Sequence, residues 1–248
     1  MTASVWGWLT TAGVLAVLDW IAVARHARRL ERCAKPAVLG CLLIAALLAH
    51  PNHPHVQAWT VAALALGLIG DLALVLQPQR ATEPAAVLVG AGSANPTPPA
   101  AIPRPTQRAD RQGDQLFLVG LLSFLIGHLC YSIAMLRYGT DRLSVGFGMI
   151  LVLIALLAFG YRIIAGAHAA GGAVLTCGVT AYIAALGSAV VLGVGTTQLP
   201  IAYGIVLFAV SDLLLASDRF VQQRSWSPIA VITTYHAAQV LLLVGLLR

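Results

Sequence analysis

Two aspartates stand inside runs that are otherwise apolar: Asp71 in LGLIGDLALVL and Asp212 in IVLFAVSDLLLAS. A carboxylate at membrane depth costs roughly 3 kcal/mol or more, so it is placed there for a function or a partner. Each follows a small residue, Gly70 or Ser211, and precedes another apolar run. Two acids are also the residue types that proton-transfer chemistry needs, one to donate and one to accept or to stabilise positive charge. Further polar side chains fall in the same kind of surroundings. His128 and Tyr131 are three apart and share a helical face, and so do Tyr235 and Gln239, with His236 beside them. Tyr182 and Lys35 complete the set. Gly67 and Asp71 form one four-residue stripe, and Gly204, Phe208 and Asp212 form another; the glycines allow close helix approach. These faces are expected to line one polar cavity. The carboxylates would lie toward the cytoplasm and the histidines deeper.

The elements that position these groups are membrane helices. Of the 248 residues, 59% are hydrophobic and 10% charged, where a soluble domain carries about 25% charged residues. The net charge of +6 is spread between apolar runs rather than over one solvated face, so no nucleic-acid partner is expected. The cysteines Cys33, Cys41, Cys130 and Cys177 have no pairing or metal spacing. The first apolar run lacks a basic residue before it and has Arg25, Arg28, Arg29, Arg32 and Lys35 after it. That order predicts a retained helix rather than a cleaved signal peptide.

Spans are predicted near 4–24, 34–50, 56–76, 116–136, 144–164, 170–192, 199–217 and 227–247, given the ~20 apolar residues that a crossing needs. With the N-terminus outside, every basic residue except Arg137, Arg142 and Arg248 falls on the cytoplasmic side. If the short second span failed to cross, that bias would vanish. The positive-inside rule therefore favours an all-α bundle of eight transmembrane helices with both termini outside. Residues 1–248 form one membrane domain, expected in the cell membrane. The stretch 77–115, with seven prolines among small residues, reads as a disordered cytoplasmic linker. A four-plus-four repeat would relate Gly70-Asp71 to Ser211-Asp212 and Gly127-His128 to Tyr235-His236.

Asp19, Asp71 and Asp212 each stand about five residues before the cytoplasmic end of a predicted span, which puts them at one depth. Asp19, beside Trp20, reads as an interfacial residue. His50, His53 and His55 fall in a predicted external turn with Pro51 and Pro54. No Gly-x-Ser-x-Gly elbow, His-Glu-x-x-His or Walker A loop is present. Three chemistries stay open. Paired acids could hydrolyse a lipid. Two Asp and two His could hold a zinc ion that activates water, although no local ligand spacing supports a metal. Intramembrane Asp and His could relay protons in a transporter, although the prolines fall near helix starts rather than at midplane.

In order and helix placement, several motifs resemble the YhhN family of eight-helix membrane proteins, which includes the TMEM86 lysoplasmalogenases. They are Lys35-Pro36, then Gly67 to Asp71, then Phe117, Gly120, Phe124 and Gly127 to Tyr131. Gly204, Phe208, Ser211-Asp212 and Phe220 follow, and Tyr235 to Gln239 come last. The likeness runs from about residue 30 onward. The linker is longer than the family pattern, and a Tyr-Tyr pair of the last helix stands here as Tyr235-His236. The resemblance implies hydrolysis of the vinyl ether bond of lysoplasmalogen, a lysophospholipid substrate in the membrane, without a cofactor. Asp71 and Asp212 would be catalytic. Burial and mutual repulsion are expected to leave one of them protonated near neutral pH. Lys35, His128, Tyr131, Tyr182, Ser211, Tyr235, His236 and Gln239 would contact substrate or water.

Overall fold

The computed structural model describes residues 2–51, 53–77 and 107–248, and all regular structure among them is helical. The elements are α1 (Ala3–Ala24), α2 (Arg28–Leu48), α3 (Pro54–Val75), α4 (Gln107–Tyr138), α5 (Arg142–Ala155), a π turn (Leu156–Gly160), α6 (Tyr161–Gly195), α7 (Leu199–Phe220) and α8 (Ser227–Leu246). Six segments are long and apolar enough to cross a membrane: Ala3–Ala24, Pro54–Val75, Gln115–Tyr138, Arg142–Gly195, Leu199–Phe220 and Ser227–Leu246. The chain therefore has the make-up of a multi-pass membrane protein.

Local sequence explains the starts and stops. Pro54, Pro200 and Pro228 stand in the first turns of α3, α7 and α8, where the missing N–H has no helical partner to lose. Asp141 caps α5, its carboxylate accepting from the Ser144 N–H at 2.9 Å. The run Arg142–Gly195 holds 54 residues, well over the ~20 that one crossing needs. It breaks inside α6 at Gly171 and Gly172, where Gly172 has φ +61°, a conformation with no penalty only for glycine. The arm 161–170 and the arm 173–195 are therefore separate pieces. The Asp141 N–H donates to the Gly195 carbonyl at 2.8 Å, so the start of α5 meets the end of α6 and the two lie as a hairpin.

Three boundaries differ from expectation. α2 opens at Arg28, not at Lys35-Pro36, and Pro36 lies inside it. Arg28, Arg29, Leu30, Glu31 and Arg32 are compatible with helix and carry it two turns further out. That charged start keeps α2 off the set of sufficiently apolar segments. α4 begins at Gln107, so it takes up the last part of the stretch 77–115; the rest of that stretch, 78–106, lies outside the described residues. The fifth helical stretch continues past residue 164 to the break at Gly171.

α3 packs against α4, α7 against α8 and α1 against α2, while α6 touches α4, α5 and α7. The largest buried cluster centres on Tyr131, Phe208 and Tyr235, with Met135, Ile205 and Leu242. A second joins α1, α2 and α8. A third, built on Ile163, Ala167 and Val179, holds the α5–α6 hairpin to α7. The hairpin leaves Phe147, Ile150, Ile154, Leu157 and Val174 exposed. Such an apolar outer face suits lipid rather than water.

Candidate active site

Glycine shapes the contact that brings the first acid into place. A Cβ on Gly70 would run into the ring of Phe124, 2.7 Å away. The bare backbone of α3 therefore lets α4 close in. The next residue, Asp71, is buried, with 1% of its side chain exposed, and faces two partners. Lys35 Nζ lies 3.1 Å from Oδ1, and the Tyr235 hydroxyl donates to Oδ2 at 3.0 Å. The Lys35 ammonium also lies over the Tyr235 ring, 5.9 Å from its centroid. The Tyr131 hydroxyl donates to Gln239 Oε1 at 2.6 Å. Gly67 leaves room for the amide of Gln239 and the hydroxyl of Tyr235 to meet α3.

Beside this group lies one that the sequence reading assigned to the interface. Asp19 is fully buried, and neither of its oxygens has a hydrogen-bond partner. Its Oδ2 is 4.0 Å from His236 Nε2. The Trp20 indole N–H donates to His236 Nδ1 at 3.2 Å. That bond makes Nδ1 the acceptor and leaves the ring proton on Nε2, directed at Asp19. The matched depth of Asp19, Asp71 and Asp212 was the signal available in the sequence for including it.

Asp212 has different company. The Tyr182 hydroxyl donates to Oδ2 at 2.5 Å, and His128 Nε2 lies 3.4 Å from the same oxygen. His128 Nδ1 is 2.7 Å from the Phe124 carbonyl. A carbonyl can only accept, so Nδ1 carries a proton and the Nε2 lone pair faces Asp212 unless a second proton joins them. As the groups stand Nε2 makes no hydrogen bond; it is held beside Asp212, where a turn of the ring would bring it into line for that proton. The mutual repulsion expected between Asp71 and Asp212 has no counterpart in these contacts, because each acid has its own set of neighbours. The ring of Phe208 packs edge-on against a member of each set, 4.6 Å from His128 and 5.4 Å from Tyr235 between centroids. Ser211 donates to the Val231 carbonyl at 3.0 Å and ties α7 to α8.

A cavity of about 240 Å³ lies between α3, α4, the α5–α6 hairpin and α7. Of its described lining residues, Asp212 and Tyr182 carry polar side-chain atoms, and the rest are aliphatic, aromatic or glycine. Lys35, Asp71 and Asp19 do not line it. Leu151, Leu156, Val210 and Leu215 line it and are also exposed. The cavity therefore opens sideways, through the apolar surface between the hairpin and α7. The π turn contributes Leu156 and Gly160 to this wall; such turns recur at functional sites. Among the described residues, no three His, Cys, Asp or Glu side chains come together in a way that could hold a metal ion.

The sequence-predicted residues thus divide. Lys35, Asp71 and Tyr235 form one contact group, with Tyr131 and Gln239 bonded beside it and His236 turned toward Asp19. Asp212, His128 and Tyr182 form the other. No curated protein and no solved structure matches the chain. The YhhN family model matches residues 108–246, from the start of α4 to the end of α8. The match leaves out α1 to α3, where the likeness was also read. It spans more than half of the chain, which therefore belongs to the YhhN family.

Proposed function

We propose that this protein is an integral membrane lysoplasmalogenase, hydrolysing the vinyl ether of a lysoplasmalogen to a fatty aldehyde and a glycerophospho-base. The observation that carries the reading is the laterally open apolar cavity whose polar lining is Asp212 and Tyr182. An aliphatic chain suits such walls, and a single acid group set among them meets whatever polar atom the chain bears. Family membership supports the same reading.

The chemistry fits the groups present. A protonated carboxyl gives its proton to the outer carbon of the C=C–O unit; the π pair becomes the new C–H bond, and an oxygen lone pair moves toward the carbon left behind to form an oxocarbenium ion. Water adds to the carbon beside oxygen and returns a proton to the carboxylate. The hemiacetal then collapses to aldehyde and the glycerol hydroxyl. The carboxyl is regenerated, and water is the one co-reactant. Asp212, with His128 beside it and Tyr182 orienting it, has the arrangement for this step. Asp71, held by Lys35 and Tyr235, is the second carboxylate of the reading. Neutralised by Lys35 and absent from the cavity lining, it holds the wall beside the site rather than meeting the reacting atoms. In the bilayer the chain crosses eight times with both termini outside. One of the six apolar segments is the whole hairpin, so α2 and the hairpin's second arm supply the two further crossings.

The test is an assay of purified protein on lysoplasmalogen beside the matching acyl lysophospholipid. Aldehyde is expected from the vinyl ether and no fatty acid from the ester. Hydrolysis of the ester alone, or of neither lipid, rules the reading out.

A further inference from the structure

The corner between α1 and α2 holds a concentration of positive charge that the fold does not use. Arg25 follows the last residue of α1, and Arg28, Arg29 and Arg32 lie in the first two turns of α2. All four are exposed. Among the described residues, none of their side chains has a hydrogen bond, an ion pair or a ring contact. The next cation along, Lys35, is turned inward to Asp71. Glu31 is the one acid between Trp20 and Ala34, so positive charge is in large excess at the corner.

The backbone keeps these groups together. The Ala27 N–H donates to the Ala22 carbonyl at 2.8 Å, and His26 sits in the left-handed region at φ +54°. A residue with a side chain is held there only by its surroundings. At about 100° per residue, Arg28, Arg29 and Arg32 fall on one side of α2.

Their level follows from α1, which has 22 residues and is apolar enough to cross a membrane. Arginines that begin where such a helix ends stand where hydrocarbon gives way to phosphate groups. Leu30 lies among them, 44% exposed. An apolar side chain in that place dips into the boundary between headgroups and acyl chains. Guanidinium groups take two oxygens of a phosphate at once. Each basic residue at the surface raises the preference for anionic lipid by about fivefold.

We propose that Arg25, Arg28, Arg29 and Arg32 form a binding site for the headgroup of an anionic phospholipid, in the leaflet that the α1–α2 corner faces. No residue of α1 or α2 lines the cavity, and the site does not depend on the hydrolase reading.

The test is native mass spectrometry of the full-length protein in detergent. The protein is titrated with phosphatidylglycerol and with phosphatidylcholine of the same acyl chains. Phosphatidylglycerol is expected to bind more tightly. In Arg29→Gln with Arg32→Gln, the ratio of the two dissociation constants should move toward unity by about tenfold or more. Arg25 and Arg28 stay in that variant, to keep the charge asymmetry that orients α1. Should it still fail to accumulate in membranes, Arg32→Gln alone decides, with a change of about fivefold expected. Arg29→Lys with Arg32→Lys should keep most of the preference, because the charge is kept. Arg137→Gln with Arg142→Gln removes two exposed arginines elsewhere and should leave the ratio as it was. A ratio unchanged in the Gln variants of the corner overturns the proposal. So does an equal change in the Arg137 and Arg142 control, which would make the preference one of net charge. Inorganic phosphate, added as a competitor, should not displace the lipid at matched concentration. Displacement would assign the corner to a soluble anion and overturn the lipid site.

Discussion

The two intramembrane acids of this protein solve the problem of burial in opposite ways. Asp71 is matched by a full opposite charge from Lys35 and bonded by Tyr235, whose ring packs edge-on against Phe124. Asp212 has no cation of fixed charge among its described partners, meets a histidine and a tyrosine, and borders an open apolar cavity. A carboxylate held by a lysine is electrostatically settled and resists further change. A carboxyl with a histidine beside it and empty space in front of it is placed to exchange a proton. The same residue type in two similar sequence settings is therefore neutralised in one and, in the function proposed above, left to react in the other.

The sharpest test of that contrast is Asp212→Asn. Aldehyde release should fall by a factor of about 10² to 10⁴, the usual worth of a positioned acid or base. Thermal stability in detergent should change little. Asp71→Asn should show its main effect in stability instead, because it strands a lysine. Breaking one partner of a buried pair costs about 3–5 kcal/mol, read as a lowered melting temperature. Removing both charges, as in Lys35→Met with Asp71→Leu, should recover most of that loss. A double variant as unstable as Asp71→Asn would break the comparison. Gly70→Ala probes the wall of the Asp71 group: its methyl would displace the Phe124 ring, for about 1–3 kcal/mol of destabilisation. Tyr182→Phe should lower kcat by about tenfold with stability held, since one hydrogen bond to a charged group is removed. A stability loss without a rate loss would move Tyr182 to the structural side.

The smallest effect belongs to a carboxylate in neither centre. Asp141 is exposed, and its bonds to the Ser144 backbone N–H and side chain hold its carboxyl below the usual range. A depressed folded value means that its contribution is present above the unfolded value and lost as pH falls through the folded one. Asp141→Ala should lower the melting temperature slightly at neutral pH, where the charged cap contributes, and leave it unchanged in strong acid, so that this acid-side dependence disappears.

Much of this contrast was legible in the residues, and the unread part has a physical cause. The cost of a charge in an apolar run pointed to Asp71 and Asp212 before any fold was known. Apolar runs of membrane-spanning length and the placement of the basic residues point to the helical class and to most helix positions. The pairing of Lys35 with Asp71 was not legible, because it joins two helices through side-chain geometry. Asp19 was misjudged because a neighbouring Trp20 resembles an interface anchor, whereas Trp20 in fact fixes the ring of His236. α2 starts earlier than its sequence predicts, because Pro36, a residue type that favours helix openings, lies inside the helix. The cavity was invisible for a similar reason. Its walls come from five helices and the π turn, and apart from Asp212 its lining stretches do not differ in composition from ordinary packing residues.

One further feature bears on how the molecule would work over many cycles. The inner wall of the cavity backs onto the ionic network. The outer wall is the α5–α6 hairpin, held to α7 through a small aliphatic cluster and through Gly166, where a Cβ would collide with the Phe220 carbonyl. An occupant that leaves sideways past that hairpin trades dispersion contacts with protein for similar contacts with lipid tails. No ion pair has to open. Loading and emptying can thus proceed on one side of the protein while its charged interior keeps still.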